Sequence, residues 1–522
     1  MMARRRLVCN LVAVATSYLL SGCQKPFDFP AQSLTAAADA AGAAKAYDTN
    51  NDGKADFLIY ARPDGRFDRL GYDHSGNGSV NEIIKLDAIP AGQCRHLVII
   101  ADGFGYDVVK KYYDSGGLRL FHPPSRVVVP YPTMTDLAVE DFLDYMPCQA
   151  YEAMHYDRRA NRIVGGSAAY LAGRNEPYNR LLQYRAGLMW APLFYVLPRP
   201  IFGKELNDFK RVFDRGQTKE VLAYFASTAG MGTAHGAAGQ VECLKQFERL
   251  INQIVCETRG MTKVTLISDH GHGYEPVTRI DFKEQLAEKG WRLTKSLKSP
   301  RDVAMVQFGL TTYASFYTHC RAELAEDLVT MKGVEVVSYA DKDTVVVLGP
   351  DPNVELPSEL PGESGLFRRF TCRGKIRGVG LGLIREKAGR YRYEPIAGDP
   401  LQLMPILAKL KPDADGYYDT DDLLNATGTH VYPAPLQRIW RAHFGLVERP
   451  ADVIVSLEDR FCVGSKFFAT FVKAASTHGG LNYKNSVTFI MSTAGPLPPL
   501  MRSANVPKHM GELFGRPWPM KK

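Results

Sequence analysis

In the stretch Val264-Thr265-Leu266-Ile267-Ser268-Asp269-His270-Gly271-His272-Gly273, a run of apolar and β-branched residues gives way in one step to an acid, two imidazoles and two glycines. The first half reads as a buried strand. Five further runs have the same look on both sides of it: His96–Ala101, Arg126–Pro130, Val221–Ala226, Thr344–Leu348 and Ala451–Ser456. Val487–Ser492 closes the series. Helical patterns such as Asp136–Tyr145 and Gln240–Thr258 lie between them. Continuous apolar strands alternating with helices predict a mostly parallel sheet covered by helices on both faces, a three-layer α/β/α sandwich.

In such sheets ligands gather at the carboxyl ends of the strands, so the residues just after each strand carry the chemistry. Asp102-Gly103-Phe104 follows the first run, Thr133-Met134-Thr135-Asp136 the second, and Asp269-His270 the quoted one. Ser476-Thr477-His478-Gly479-Gly480 stands between two late strands. Carboxylates and imidazoles converging on one sheet edge make a transition-metal site of oxygen and nitrogen ligands, a set that suits zinc. Thr133 with Asp136 three residues on reads as a capping box. That places Thr135 in the first helical turn, where the helix N-terminus favours a phosphate.

Asp102-Gly103-Phe104, Pro132-Thr133-Met134-Thr135 and Ser268-Asp269-His270-Gly271 together resemble the alkaline phosphatase superfamily, in its nucleotide pyrophosphatase/phosphodiesterase branch. The resemblance spans roughly residues 95–275 and 430–495. It implies one zinc site made of Asp102, Thr135, Asp269 and His270, with Thr135 as the nucleophile, and places His478 at a second zinc site. The chain departs from the family after Val221–Ala226. The family supplies an Asp there and a His four residues later; here Ala229 and Thr233 hold those positions. His235, two residues further on, and His272 are the imidazoles left to substitute. No Cys or Ser in a C/S-x-P-x-R arrangement follows the Asp102 strand, which argues against a sulfatase.

Upstream, Arg4-Arg5-Arg6 and the apolar run Leu7–Leu20 form a signal peptide too short to span a bilayer comfortably. Leu20-Ser21-Gly22-Cys23 resembles the bacterial lipobox, which implies cleavage after residue 22 and lipidation of Cys23. The expected protein is exported and lipid-anchored in the bacterial envelope, with an Ala-rich linker over 23–46. Tyr47-Asp48-Thr49-Asn50-Asn51-Asp52-Gly53-Lys54-Ala55-Asp56 recurs 25 residues later, from Tyr72 to Asn81. The oxygens of Asp48, Asn50, Asp52 and Asp56 are spaced to wrap a calcium ion, although Ile59 and Ile84 stand where an EF-hand has its bidentate Glu. The organisation read from this is a calcium-loop-like segment over 47–90 and a catalytic domain over 95–522, with a cap or insert at 298–430.

The 522 residues carry a net charge of +8, too mild and too dispersed for a nucleic-acid polymer as partner. Of nine cysteines, Cys9 and Cys23 belong to the export signal; the other seven show no CxxC spacing and no readable disulfide framework. The expected activity is metal-dependent hydrolysis of a small phosphodiester or nucleotide pyrophosphate, with one or two zinc ions. Two alternatives follow from Ala229 and Thr233: a catalytically degenerate surface-anchored binding protein, and an envelope phosphoryl or phosphoethanolamine transferase of the same fold.

Overall fold

Seven strands build the central sheet: β1 (Arg95–Ala101), β2 (Ser125–Val128), β3 (Tyr184–Arg185), β4 (Glu220–Phe225), β5 (Thr262–Ser268), β6 (Val487–Ser492) and β7 (Leu500–Arg502). They lie in the order β7-β2-β6-β5-β1-β4-β3. All neighbours are parallel except β6, which runs antiparallel to both β5 and β2. In this computed structural model, residues 27–173, 176–187, 191–352, 354, 378–464 and 474–520 are described. The signal stretch 1–22 and Cys23 lie outside them.

Alternation along β1 shows why its stretch Leu97–Ala101 is apolar throughout. Leu97, Ile99 and Ala101 pack into one core with helices α1 (Tyr106–Asp114), α3 (Pro198–Arg215) and α4 (Ser227–Glu257). Val98 and Ile100 pack into the opposite core with α2 (Thr135–Leu143) and α6 (Val506–Phe514). The result is the three-layer α/β/α arrangement, with both faces of the strand covered. Register then fixes the site. Ala101 is level with Phe225 of β4 and Ser268 of β5, so Asp102, Ala226 and Asp269 leave the sheet at one edge.

A second, eight-stranded sheet is almost entirely antiparallel. It holds Thr344–Pro350 and, in its interior, Val453–Leu457. Here the structure corrects the sequence reading, which puts Thr344–Leu348 and Ala451–Ser456 into the parallel sheet. Ile454 faces one core and Val453, Val455 and Leu457 face another. A strand covered on both faces has the same composition whichever sheet it joins. Helix α5 (Pro435–His443) packs against this sheet, in one core with Tyr131 and Leu137 from the Thr135 segment.

At the N-terminal end, Lys45–Tyr47, Phe57–Ala61, Phe67–Tyr72 and Glu82–Lys85 form a four-stranded antiparallel sheet. The two Asp-bearing repeats are its turns, between the first and second strands and between the third and fourth. Among the described residues no helix is long and apolar enough to cross a membrane, and the six described cysteines are free thiols.

Candidate active site

Asp102, Asp269 and His270 converge at the carboxyl edge of β1 and β5, their ligand atoms all within 4.8 Å of one another. Each carboxylate has one oxygen anchored and one left over. Asp102 Oδ2 accepts the Tyr224 hydroxyl at 2.5 Å, and Asp269 Oδ1 accepts the Gly103 and His270 N–H groups at 2.9 and 3.0 Å. Asp102 Oδ1 and Asp269 Oδ2 are buried without a partner. They lie 3.5 and 3.4 Å from His270 Nε2. His270 Nδ1 donates to the Gly271 carbonyl at 2.9 Å, so the neutral ring presents a lone pair at Nε2.

His270 brings no proton to these three atoms. Burial pushes the His270 imidazole down to about 4. Burial and then the Asp269 charge push Asp102 well above the usual carboxylate range, and burial also raises Asp269. Three electron-rich buried atoms facing one another are costly unless a proton or a cation sits between them. Two carboxylate oxygens and an imidazole nitrogen fit a divalent ion.

Thr135 stands at the start of α2 with its Oγ1 3.4 Å from His270 Nε2. The helix begins where the sequence predicts, but the capping box is not formed. Met134 is the N-cap, and no side chain caps the helix from it. Thr133 instead accepts the Gly479 N–H at 2.9 Å through its hydroxyl, which donates to the Gly480 carbonyl at 3.3 Å. The Thr133 carbonyl accepts His478 Nδ1 at 2.9 Å. This hydroxyl fastens the Thr135 and His478 loops together, a use that competes with capping. His478 accordingly lies over the cluster, its ring stacked on His270 with centroids 3.7 Å apart.

His272 is fully buried, with Nδ1 2.9 Å from Ser476 Oγ and Nε2 without a partner. Ala229 and Thr233 are buried near the start of α4 and carry no ligand atom of carboxylate or imidazole type. His235 lies next to the break in α4 at Gly236, where φ is +59°; it is half-buried and does not join the cluster.

The predicted calcium residues form turns. Asp48 accepts the Asp52 and Gly53 N–H groups, Asn50 the Asp52 N–H and Asp52 the Lys54 N–H. Asp56 takes the Thr49 N–H and hydroxyl at 2.7 and 2.6 Å. This is Asx-turn bonding.

Sequence reasoning missed Tyr224 and Glu205. Tyr224 sits inside a buried strand, where nothing separates it from a core aromatic. Glu205, fully buried on α3, accepts the Ser227 N–H and hydroxyl at the start of α4.

No protein-family model matches the chain, and no curated protein matches it in sequence. Among solved structures, human ectonucleotide pyrophosphatase/phosphodiesterase 5 is similar at 10% identity over 81% of this chain and 95% of that one, with a TM-score of 0.42. The side chains of the site therefore carry the functional argument alone.

Proposed function

We propose that the protein is a zinc-dependent hydrolase of small phosphodiesters or nucleotide pyrophosphates, exported and held to the bacterial envelope by a lipid on Cys23. The observation that carries the reading is the convergence of Asp102 Oδ1, Asp269 Oδ2 and His270 Nε2, the two carboxylate oxygens without a hydrogen-bond partner, beside the Thr135 hydroxyl. A bound ion supplies a lowered pKa for that hydroxyl and a clamp on one phosphate oxygen.

The protein's own residues do the rest. Thr135, its proton released to solvent, attacks phosphorus; the bond to the leaving oxygen breaks, and that oxygen takes a proton from water. Water then attacks the phospho-threonine, the Thr135–phosphorus bond breaks, and Thr135 regains a proton. The net change is diester plus water to monoester plus alcohol. The N-terminus of α2 faces the same phosphate with its positive end. Tyr224 and the Gly103 N–H hold the two carboxylates so that one oxygen of each is turned inward.

Ala229 and Thr233 favour a second reading, transfer of the phosphoryl group from Thr135 to an alcohol. The test is turnover of a chromogenic phosphodiester by the zinc-loaded protein beside its Thr135→Ala variant. Repeated turnover in the wild type only supports the hydrolase. A stable phospho-Thr135 that discharges onto an alcohol and not onto water replaces it with the transferase. Export and anchoring are tested by Cys23→Ser, which should move the protein from the membrane fraction to the soluble one.

A further inference from the structure

Between the end of β1 and the start of α1, residues 102–105 form a turn that belongs to neither element. It passes through Gly103, where φ is +80° and a Cβ would stand 2.6 Å from His272 Nε2. Only glycine fits there, and glycine has the widest choice of backbone conformation. The turn is therefore held from outside, and six successive backbone groups are bonded to six different side chains. The Asp102 carbonyl is 2.9 Å from the Thr228 hydroxyl, and the Gly103 N–H donates to Asp269 Oδ1 at 2.9 Å. The Gly103 carbonyl accepts Gln240 Nε2, and the Phe104 N–H donates to Ser268 Oγ at 2.8 Å. The Phe104 carbonyl accepts the Thr488 hydroxyl at 2.8 Å, and the Gly105 N–H donates to the Tyr274 oxygen at 2.8 Å.

Two of the six partners are joined to each other, and their bond has only one possible direction. The Gly105 N–H can only donate, so the Tyr274 oxygen accepts it, and the Tyr274 hydroxyl donates to Gln240 Oε1 at 2.5 Å. That turns the NH₂ of Gln240 toward the Gly103 carbonyl, which can only accept. Gln240 lies on α4, past the break at Gly236, and is fully buried. Its amide has no room to shift: a Cβ on Gly232 would stand 2.9 Å from Gln240 Nε2 and 3.5 Å from His272 Nε2. The closed ring Gly103–Gln240–Tyr274–Gly105 thus fixes the carbonyl of the residue whose N–H anchors Asp269.

We propose that Gln240 and Tyr274 are positioning residues of the candidate metal site, acting through Gly103 to keep Asp269 Oδ2 turned toward His270. Helix α4, which brings no ligand at Ala229 or Thr233, acts on the site through this amide. Apolar residues of the same size would fill the space but leave the Gly103 carbonyl and the Gly105 N–H unbonded, and Gly103 free to turn. The proposal rests on the reading that Asp102, Asp269 and His270 hold an ion.

Titration of the metal-free full-length protein in detergent with Co²⁺, read by visible absorption and calorimetry, tests it. Gln240→Met and Tyr274→Phe should each weaken Co²⁺ binding by about 10- to 100-fold and alter its spectrum. The double variant should bind no more weakly than the weaker single one, because either change breaks the same chain. A merely structural role would lower the unfolding midpoint of the metal-free protein and leave affinity and spectrum as they are. That result overturns the proposal, and so do losses that add in the double variant. If metal-free Gln240→Met does not fold, Tyr274→Phe decides, since that ring is only half-buried. No Co²⁺ bound by the wild type overturns the ion site itself and this proposal with it.

Discussion

Two regions of this protein are rich in the same oxygen ligands and use them in opposite ways. In the N-terminal turn, Asp48 and Asp56 have both oxygens bonded to N–H or O–H groups of their own loop. At the sheet edge, Asp102 and Asp269 each keep one buried oxygen without a partner, close to His270 Nε2. The first arrangement is satisfied as it stands, and the second is not. What marks a metal site is whether the backbone has already claimed the ligand atoms, more than how many acids lie together.

The largest expected effect is that of Thr135→Ala, which should lower turnover on the order of 10⁴-fold or more while Co²⁺ uptake stays at the wild-type number of ions. Activity near wild type would show that the open oxygens serve some purpose other than this nucleophile.

Glu205 is an intermediate case, a buried carboxyl with one bonded oxygen and one bare. Burial raises it from the ordinary 4.5 to about 7. The folded protein therefore holds its proton more tightly than the unfolded chain does. The stability this provides is full below about pH 4.5 and is lost as pH rises through about 7. Relative to Glu205→Gln, the wild type should lose about 3 kcal/mol across that window, read from denaturant unfolding at several pH values. Parallel curves would mean that Glu205 is ionised throughout and that a bare oxygen says little about charge.

Tyr224→Phe removes the donor from Asp102 Oδ2 and should weaken Co²⁺ binding about 10- to 100-fold, measured by calorimetric titration; unchanged affinity would assign the orientation of Asp102 to packing alone. The smallest effect belongs to Asp48→Ala, with a cost of about 1 kcal/mol in unfolding free energy and no change in turnover. Should calcium raise the unfolding midpoint of the wild type but not of Asp48→Ala, the contrast between the two regions would break down.

Much of the candidate site is legible in the sequence because its residues directly follow apolar strands: Asp102 after β1, Asp269 and His270 after β5. Their meeting needs only parallel register. Thr135 at the head of a helix is legible too, although the Thr133–Asp136 pairing that points to it is absent and Thr133 is bonded across 346 residues to Gly479. Long-range bonds of that kind leave no local trace. Neither does the sheet membership of Val453–Leu457, or the hydroxyl of Tyr224 at the edge of a buried strand. His272 is visible as a spare imidazole; its bare nitrogen and the glycines before it are visible only in three dimensions.

The place of β2 in the central sheet has a consequence for how the protein comes into being. The strand leading to Thr135 has only β6 and β7 for neighbours, and both lie at the far end of the chain. During synthesis Asp102, Asp269 and His270 can come together on β1 and β5 long before Val487 is made. A chain that stops short of Val487 would keep Asp102, Asp269 and His270 together and leave the strand before Thr135 unpaired, so the proposed cation site would form early and the proposed nucleophile would be placed last.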